Sequence, residues 1–311
     1  MDAQVAGDQG LTLTTAPVSA APVEGNLDRR GAVSAFFAYK RRTRLVLLLA
    51  PPLFWLVIAY LGAIAVLLLS SLWSVDSFTD KVVHTYGTGN LHVVFTDATF
   101  RAVTLRTLGI ALLVTVVDAL VAFPMAFYMS VVASPRLRRI MVVLVLTPLW
   151  ASYLVKAYAW RVLLAPDGPV ATVFGGTPGY GRTALVLTLA YLWLPYMVIP
   201  IYAGFEKLPR SLFEASSDLG APPGRTVRSV VLPLVFPAIA AGSIFTFSLT
   251  LGDYIAVNII DSKTQMLGNV IYGQLITANN QPLAAALSII PLLAIVLYLA
   301  AMSRTGALDN V

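Results

Sequence analysis

Six apolar stretches dominate this chain, and each is long enough to cross a lipid bilayer: Leu45–Leu72, Val103–Val132, Ile140–Leu164, Ala184–Phe205, Leu234–Val257 and Leu283–Met302. A spanning helix needs about 20 mainly apolar residues to cover roughly 30 Å of hydrocarbon. Inside lipid its backbone amides must bond within the segment itself. All six stretches are therefore predicted to be helices, and the fold class to be all-α and polytopic. Composition agrees: 58% of the 311 residues are hydrophobic and 12% charged, against about 25% charged in a soluble domain. A water-soluble fold is excluded. Leu45–Leu72 is too long for a signal-peptide core and lacks a convincing cleavage site, so it reads as an uncleaved first span, with Pro51 and Pro52 in its first turns.

Polar segments separate the spans. Residues 1–28, rich in Ala, Thr, Pro and Gly without an apolar period, are predicted to be a disordered tail. Residues 29–304 are read as one six-span membrane domain, and 305–311 as a short second tail. Residues 73–101 and the Gly- and Pro-rich 165–182 are read as loops on one side of the membrane. Basic residues mark the other side: Arg29, Arg30, Lys40, Arg41, Arg42 and Arg44 before the first span, Arg136, Arg138 and Arg139 after the second, and Lys207, Arg210, Arg225 and Arg228 after the fourth. Few face the opposite way. Both termini are therefore expected in the cytoplasm. The net charge of +6 is thus a topology signal, and nucleic-acid binding is excluded as its explanation. With no cysteine in the chain, disulfides and thiolate metal sites are excluded too.

The segment from Glu206 to Pro233 is the long charged interruption between apolar runs. Ser211 stands three residues before Glu214, the spacing of a capping box, which predicts a helix starting at Ser211. Gly220 falls where a left-handed C-terminal residue is needed. Pro222 and Pro223 bar continuation, and a second short helix is expected over Thr226–Leu232, at an angle to the first. The result is an elbow on the membrane surface.

Glu214, Ala215, Asp218, Leu219, Gly220 and Ala221, followed by Leu232, Pro233 and Pro237, resemble the EAA loop of ABC importer permeases, written as EAA, three variable residues, G, and a trailing LP. That resemblance implies the type I importer permease fold with six spans. It also implies that the elbow supplies a coupling helix, Ser211–Gly220, which docks on a cytoplasmic ATPase dimer. Small Ala215 and Ser216 permit close approach, and Phe213 and Leu219 can anchor. Ser216 replaces the family's usual alanine. The remaining implied partners are a second, homologous permease subunit and an extracytoplasmic substrate-binding protein. ATP and magnesium belong to the ATPase, and this chain needs no cofactor. The mechanism implied is alternating access, driven by ATP binding and reset by hydrolysis. The plainer reading of the elbow is a lipid-facing amphipathic segment that binds nothing.

Thr147–Leu164, Leu251–Tyr254 (LGDY), Met266–Asn269 (MLGN) and Gln281–Leu287 resemble the corresponding regions of spermidine/putrescine-type permeases. The departures are Lys156, Ala157 and the segment Asn258–Ser262. The resemblance implies a polyamine substrate, with amino acids, phosphonates or other small cations as alternatives. A polyamine calls for carboxylates to neutralise its ammonium groups and for aromatic faces to attract them. Asp253 at the end of the fifth span, beside Tyr254, is the foremost carboxylate for this pathway. Asp118 in the second span has two readings: attraction of a cationic amine, or a structural pair with Lys156 or Arg161. Tyr153, Tyr158, Trp160 and Trp193 can supply aromatic faces, although an interfacial belt or helix packing accounts for any one of them alone.

Enzyme signatures are missing. There is no GxxxxGK[ST] and no HExxH, and His84 and His92 are expected to be ordinary solvated side chains. The Gly-rich GGTPGYG at residues 175–181 is read as a turn. Two other classes stay open at this point. A solitary secondary transporter would need an internal repeat. An intramembrane enzyme would need a second catalytic group beside Asp118 or Asp253.

Overall fold

A computed structural model describes residues 41–304 apart from Ser77, Arg210 and Ser262, with side chains from residue 48 onward. The two terminal tails, and Arg29, Arg30 and Lys40, lie outside the described residues. Contacts divide the chain into two units, 1–62 and 63–311. Helix α1 (Arg41–Ser70) begins in the first and ends in the second. It carries Pro51 and Pro52 without ending there, and its apolar side chains are almost wholly exposed, with 6% of its most apolar window buried.

The second unit opens with a small hairpin, β1 (Ser74–Val75) antiparallel to β2 (Val82–Val83), followed by α2 (Gly89–Thr96). Residues 73–101 are thus structured, where the sequence reading had only a loop. Two-residue strands are too short for a period of two to be visible. Asp97 caps the next helix, its carboxylate accepting the amides of Thr99 and Phe100 at 2.7 and 3.3 Å. Helix α3 (Ala98–Phe127) continues through a π turn, Tyr128–Val132, as one 35-residue span.

Helix α4 (Pro135–Trp150) starts with Pro135 at its first turn, capped by Ser134. The expected third span does not run straight to Leu164. It stops at Ala151 and Ser152, both extended, and restarts as α5 (Tyr153–Leu163), bent by 100°. Two successive extended residues break the helical hydrogen-bond ladder, and apolar composition cannot reveal that. A short helix, α6 (Pro169–Phe174), occupies the Gly- and Pro-rich segment.

Helix α7 (Arg182–Glu206) contains Pro195 and Pro200 and is the most buried of the spans. It is followed by α8 (Ser211–Asp218). The expected second short helix is not separate. Helix α9 (Pro223–Thr226), a π turn at Val227–Val231 and α10 (Leu232–Leu251) form one continuous span, with Pro223 in its first turn. That span ends at Leu251, before the predicted Val257, and α11 (Ile255–Ile260) follows as its own element. Next come α12 (Leu267–Tyr272), a π turn at Gly273–Thr277, and α13 (Gln281–Ser303). Among the described residues, five helices are long and apolar enough to cross a membrane, six with the bent pair counted as one span.

The core of the second unit is the mutual packing of α3, α7 and α10. Small residues let α7 and α10 approach closely. A Cβ on Gly204 would stand 2.6 Å from that of Ala238, and one on Gly242 would meet Met197 Sδ at 2.9 Å and its backbone at 3.2 Å. Without a hydrophobic force between helices in lipid, such contacts hold them together. Toward one end, α11 and α5 close on the upper turns of α7 through Leu185, Leu189, Leu192 and Ile260. Toward the elbow, Ala122, Ala126 and Met129 meet Met197, Ile201, Phe205 and Val235.

Candidate functional site

At the end of α10 the LGDY and MLGN motifs come together. Gly268 lies so close to the first that a Cβ there would stand 3.2 Å from the carbonyl oxygens of Gly252 and Asp253 and from Tyr254 Cβ. Leu267 donates its amide to Thr107 Oγ1 at 2.9 Å, tying this corner to α3. Asp253 is 7% exposed. One of its oxygens accepts the Ala256 amide at 2.9 Å, fixing the first turn of α11. The other accepts the Tyr153 hydroxyl, which the break before α5 delivers. Tyr153 stacks on Trp193 with centroids 5.9 Å apart. Tyr254 stacks on Tyr272 at 4.9 Å, and its carbonyl accepts Asn269 Nδ2 at 3.1 Å, while the same amide reaches Asn258 Oδ1 at 2.6 Å. The cluster therefore joins a nearly buried carboxylate to aromatic faces at one end of the bundle.

The other predicted pathway residues are dispersed. Tyr158 is 54% exposed, in an apolar surface groove with Leu154, Val155 and Val162. Trp160 packs on Tyr191, centroids 5.2 Å apart, away from Asp253. Asp118 is 1% exposed on α3, and neither of its oxygens has a hydrogen-bond partner among the described residues. The structural pair with Lys156 or Arg161 is not formed. Arg161 instead donates to the Ile259 carbonyl at 2.8 Å and stands over the Tyr180 ring, because the bend before α5 turns it toward α11. A buried carboxylate without a partner is costly. His84 meets the edge of Trp73, and His92 lies near Thr96 Oγ1. Among the described residues no group of three or more His, Cys, Asp or Glu could hold a metal ion.

The elbow forms the opposite end. Helix α8 ends as a paired C-terminal motif: Ala221 donates to the Ser216 carbonyl at 3.1 Å and Gly220 to that of Ser217 at 2.8 Å, with Gly220 at φ +71°. These are the two bonds that satisfy a helix's last carbonyls when the next residue is left-handed. The capping box is not formed among the described contacts. The Leu212 amide already bonds the Pro209 carbonyl, so turning starts earlier and Ser211 is the first helical residue instead of the cap. Phe213 faces the bundle, packed with Phe205, Leu208 and the elbow ends of α3 and α10. Ala215, Glu214, Asp218 and Gly220 are exposed, Ala221 is half-buried, and Leu219 is 87% exposed. Ser216 is buried, its hydroxyl 2.7 Å from Thr226 Oγ1. The serine that replaces alanine thus pins α8 to α9.

Two groups escaped sequence reasoning. Arg138, taken only as a topology charge, forms an ion pair of 3.1 Å with Glu206. Both border a cavity of about 320 Å³ with Ser130, Phe213 and Glu214. Asn258 and Asn269 carry no motif of their own, although MLGN held one of them.

A multi-pass helical bundle with a capped elbow between two of its spans has the architecture of a membrane transport subunit. Residues 119–304 match the family described as the binding-protein-dependent transport system inner membrane component, and the chain belongs to that family. It is similar to the inner membrane ABC transporter permease protein YdcU of Escherichia coli, 42% identical over 298 residues, covering 90% of this chain and 95% of that one. It is also similar to the spermidine/putrescine transport system permease protein PotB of Haemophilus influenzae, 31% identical over 199 residues, covering 61% and 69%. Among solved structures it resembles a chain of a bacterial ABC transporter that imports the acidic polysaccharide alginate, with a TM-score of 0.64, 17% identity and coverage of 87% and 99%. A chain of the MetNI methionine ABC transporter gives a TM-score of 0.52 at 18% identity, covering 67% and 97%. At such identities these two speak for the fold alone. The protein is an ABC importer permease subunit, a multi-pass inner-membrane component.

Proposed function

We propose that this permease carries a polyamine, of the spermidine or putrescine class, by alternating access. One observation carries the substrate class: the nearly buried Asp253 carboxylate, held by the Tyr153 hydroxyl in a frame of aromatic rings. An alkyl ammonium entering there exchanges the Tyr153 hydroxyl for a charged donor and gains the ring faces. The likeness to PotB supports the same class. In this reading the Asp253 end faces outward toward a substrate-loaded binding protein. The elbow and both termini are cytoplasmic, α8 docks on an ATPase dimer that binds ATP and magnesium, and a second permease subunit completes the pathway. Ser211, Glu214, Ala215, Asp218, Leu219, Gly220 and Ala221 form the docking side of the elbow, with Leu219 as its exposed anchor, while Phe213 holds the helix to the spans. Asp118 offers a further carboxylate deeper along the route.

The test is substrate-stimulated ATP hydrolysis in proteoliposomes containing the assembled transporter, with its binding protein loaded with spermidine, putrescine or an amino acid. Stimulation by polyamines alone, with loss of stimulation in Asp253→Asn, is the expected result. Stimulation by an amino acid or another solute, undiminished in Asp253→Asn, overturns the substrate assignment and leaves the permease assignment standing.

A further inference from the structure

The turn between α3 and α4 is tied to the end of α7 by one side chain. Arg138, in the first turn of α4, donates Nε to the Met129 carbonyl at 3.0 Å and a terminal nitrogen to the Ser130 carbonyl at 2.6 Å. Both carbonyls belong to the π turn that closes α3. Its remaining nitrogen lies 3.1 Å from Glu206 Oε1, and the same oxygen accepts the Ser130 hydroxyl at 3.2 Å. The planar guanidinium is thereby shared among three elements, which a lysine could not reproduce.

Glu206 is the last residue of α7, and α8 begins five residues later at Ser211. The cavity beside the pair is lined by Phe213 and Glu214 of α8 and by Ser130 and Arg138 of the turn. Arg138 and Glu206 are 25% and 40% exposed, and exposed ion pairs of this kind add little to stability. Their placement is therefore the informative feature. Helix α4, whose first turn holds Arg138, leads through the 100° bend to α5 and Tyr153, the residue bonded to Asp253 at the far end.

We propose that Arg138 and Glu206 are positioning residues that transmit motion of α8 to the α3–α4 turn, and through α4 to the Tyr153–Asp253 contact. Displacing α8 moves the end of α7, and the ion pair obliges the neighbouring turn to follow. Without the pair, α8 moves while α4 stays behind. The inference rests on the reading that α8 docks on an ATPase.

The experiment measures solute transported per ATP hydrolysed in proteoliposomes of the whole transporter, beside the amount of assembled complex. Glu206→Ala, which leaves the Met129 and Ser130 carbonyls capped by Arg138, is expected to lower transport per ATP about tenfold with assembly and unstimulated hydrolysis unchanged. Arg138→Gln should act alike, and Arg138→Gln/Glu206→Ala should be no worse than either alone, since residues acting as a unit are not additive. An unchanged ratio in Glu206→Ala, or a loss in the double variant equal to the product of the two, overturns the proposal. If Arg138→Gln fails to assemble, Glu206→Ala decides. Gly220→Asp, run in parallel, separates the two readings. If it leaves stimulated hydrolysis intact, the docking role of α8 fails. If it uncouples while Glu206→Ala does not, only the transmission role fails.

Discussion

Gly204→Ala tests the close contact between α7 and α10 near the elbow. The added Cβ would lie 2.6 Å from Ala238 Cβ, with Val235 Cγ1 at 3.7 Å. Carbon atoms rest at about 3.5–4.0 Å, so the helices must separate by about 1 Å at this point. Overpacking of this kind costs about 1–3 kcal/mol. Alanine also favours a helix over glycine by about 1 kcal/mol, which masks part of that cost in the single variant. A double-mutant cycle with Ala238→Gly removes the masking, because the propensity change at residue 204 is the same in both backgrounds. The expected coupling is about 2 kcal/mol, with Ala238→Gly restoring most of what Gly204→Ala loses. Unfolding free energies in mixed micelles, titrated with a denaturing detergent, supply the four corners. A coupling below about 0.5 kcal/mol would mean that α7 and α10 adjust freely here, and the close contact would have no energetic meaning.

Three further outcomes are expected. Gly220→Ala forces a residue with a Cβ to φ +71° where that Cβ meets nothing within 4 Å, so only backbone strain acts, about 1–2 kcal/mol. Amide exchange of Leu219, Gly220 and Ala221 should quicken several-fold while the spans keep their protection. Ser216→Ala strands the Thr226 hydroxyl and should cost about 1 kcal/mol of unfolding free energy, whereas Ser216→Ala/Thr226→Val, removing both hydroxyls, should be close to neutral. The amides of Thr99 and Phe100 hold the Asp97 carboxyl below its ordinary value of 3.8. Its contribution to stability is therefore complete above 3.8 and lost as pH falls through the lower folded value. Asp97→Asn keeps a capping oxygen without the titration, so wild type should lose thermal stability relative to Asp97→Asn across that window.

Much of the fold was legible because hydrophobic length is a direct physical demand of lipid. Three of the long helices, α1, α7 and α13, keep their predicted bounds to within a few residues, and α3 begins five residues early at Ala98. The failures occur where the backbone departs from a helix without a change in polarity. Ala151 and Ser152 are small residues between apolar turns, and nothing in their composition announces two extended conformations. Leu251 ends α10 for the same reason, six residues before the apolar run does. Pro223 was read as opening a separate helix, but a π turn after Thr226 absorbs the irregularity and the span continues. At the elbow, Gly220 was readable because only glycine takes a left-handed conformation without strain. Ser211 was misplaced by the earlier turn at Pro209. Asp253 and Tyr153 were singled out for their chemistry and the structure brings them into contact, whereas the Arg138 ion pair was not foreseen because its basic neighbours Arg136 and Arg139 gave its charge an adequate reason.

The near-complete exposure of α1 has a consequence for biosynthesis. A segment whose most apolar window has a mean hydropathy of 2.5 and is only 6% buried can partition from the translocation channel into lipid on its own free energy, without waiting for partners. The bent pair α4–α5 cannot do so as easily. It carries Lys156 and Arg161 and interrupts its own ladder at Ala151–Ser152, so the backbone groups freed there need neighbouring helices around them. As the chain emerges, α1 can therefore settle first as an anchor, and α4–α5 must be held near the channel until α7 and α11 have been made. Lengthening the chain between α5 and α7 should delay integration of the bent pair and leave that of α1 untouched.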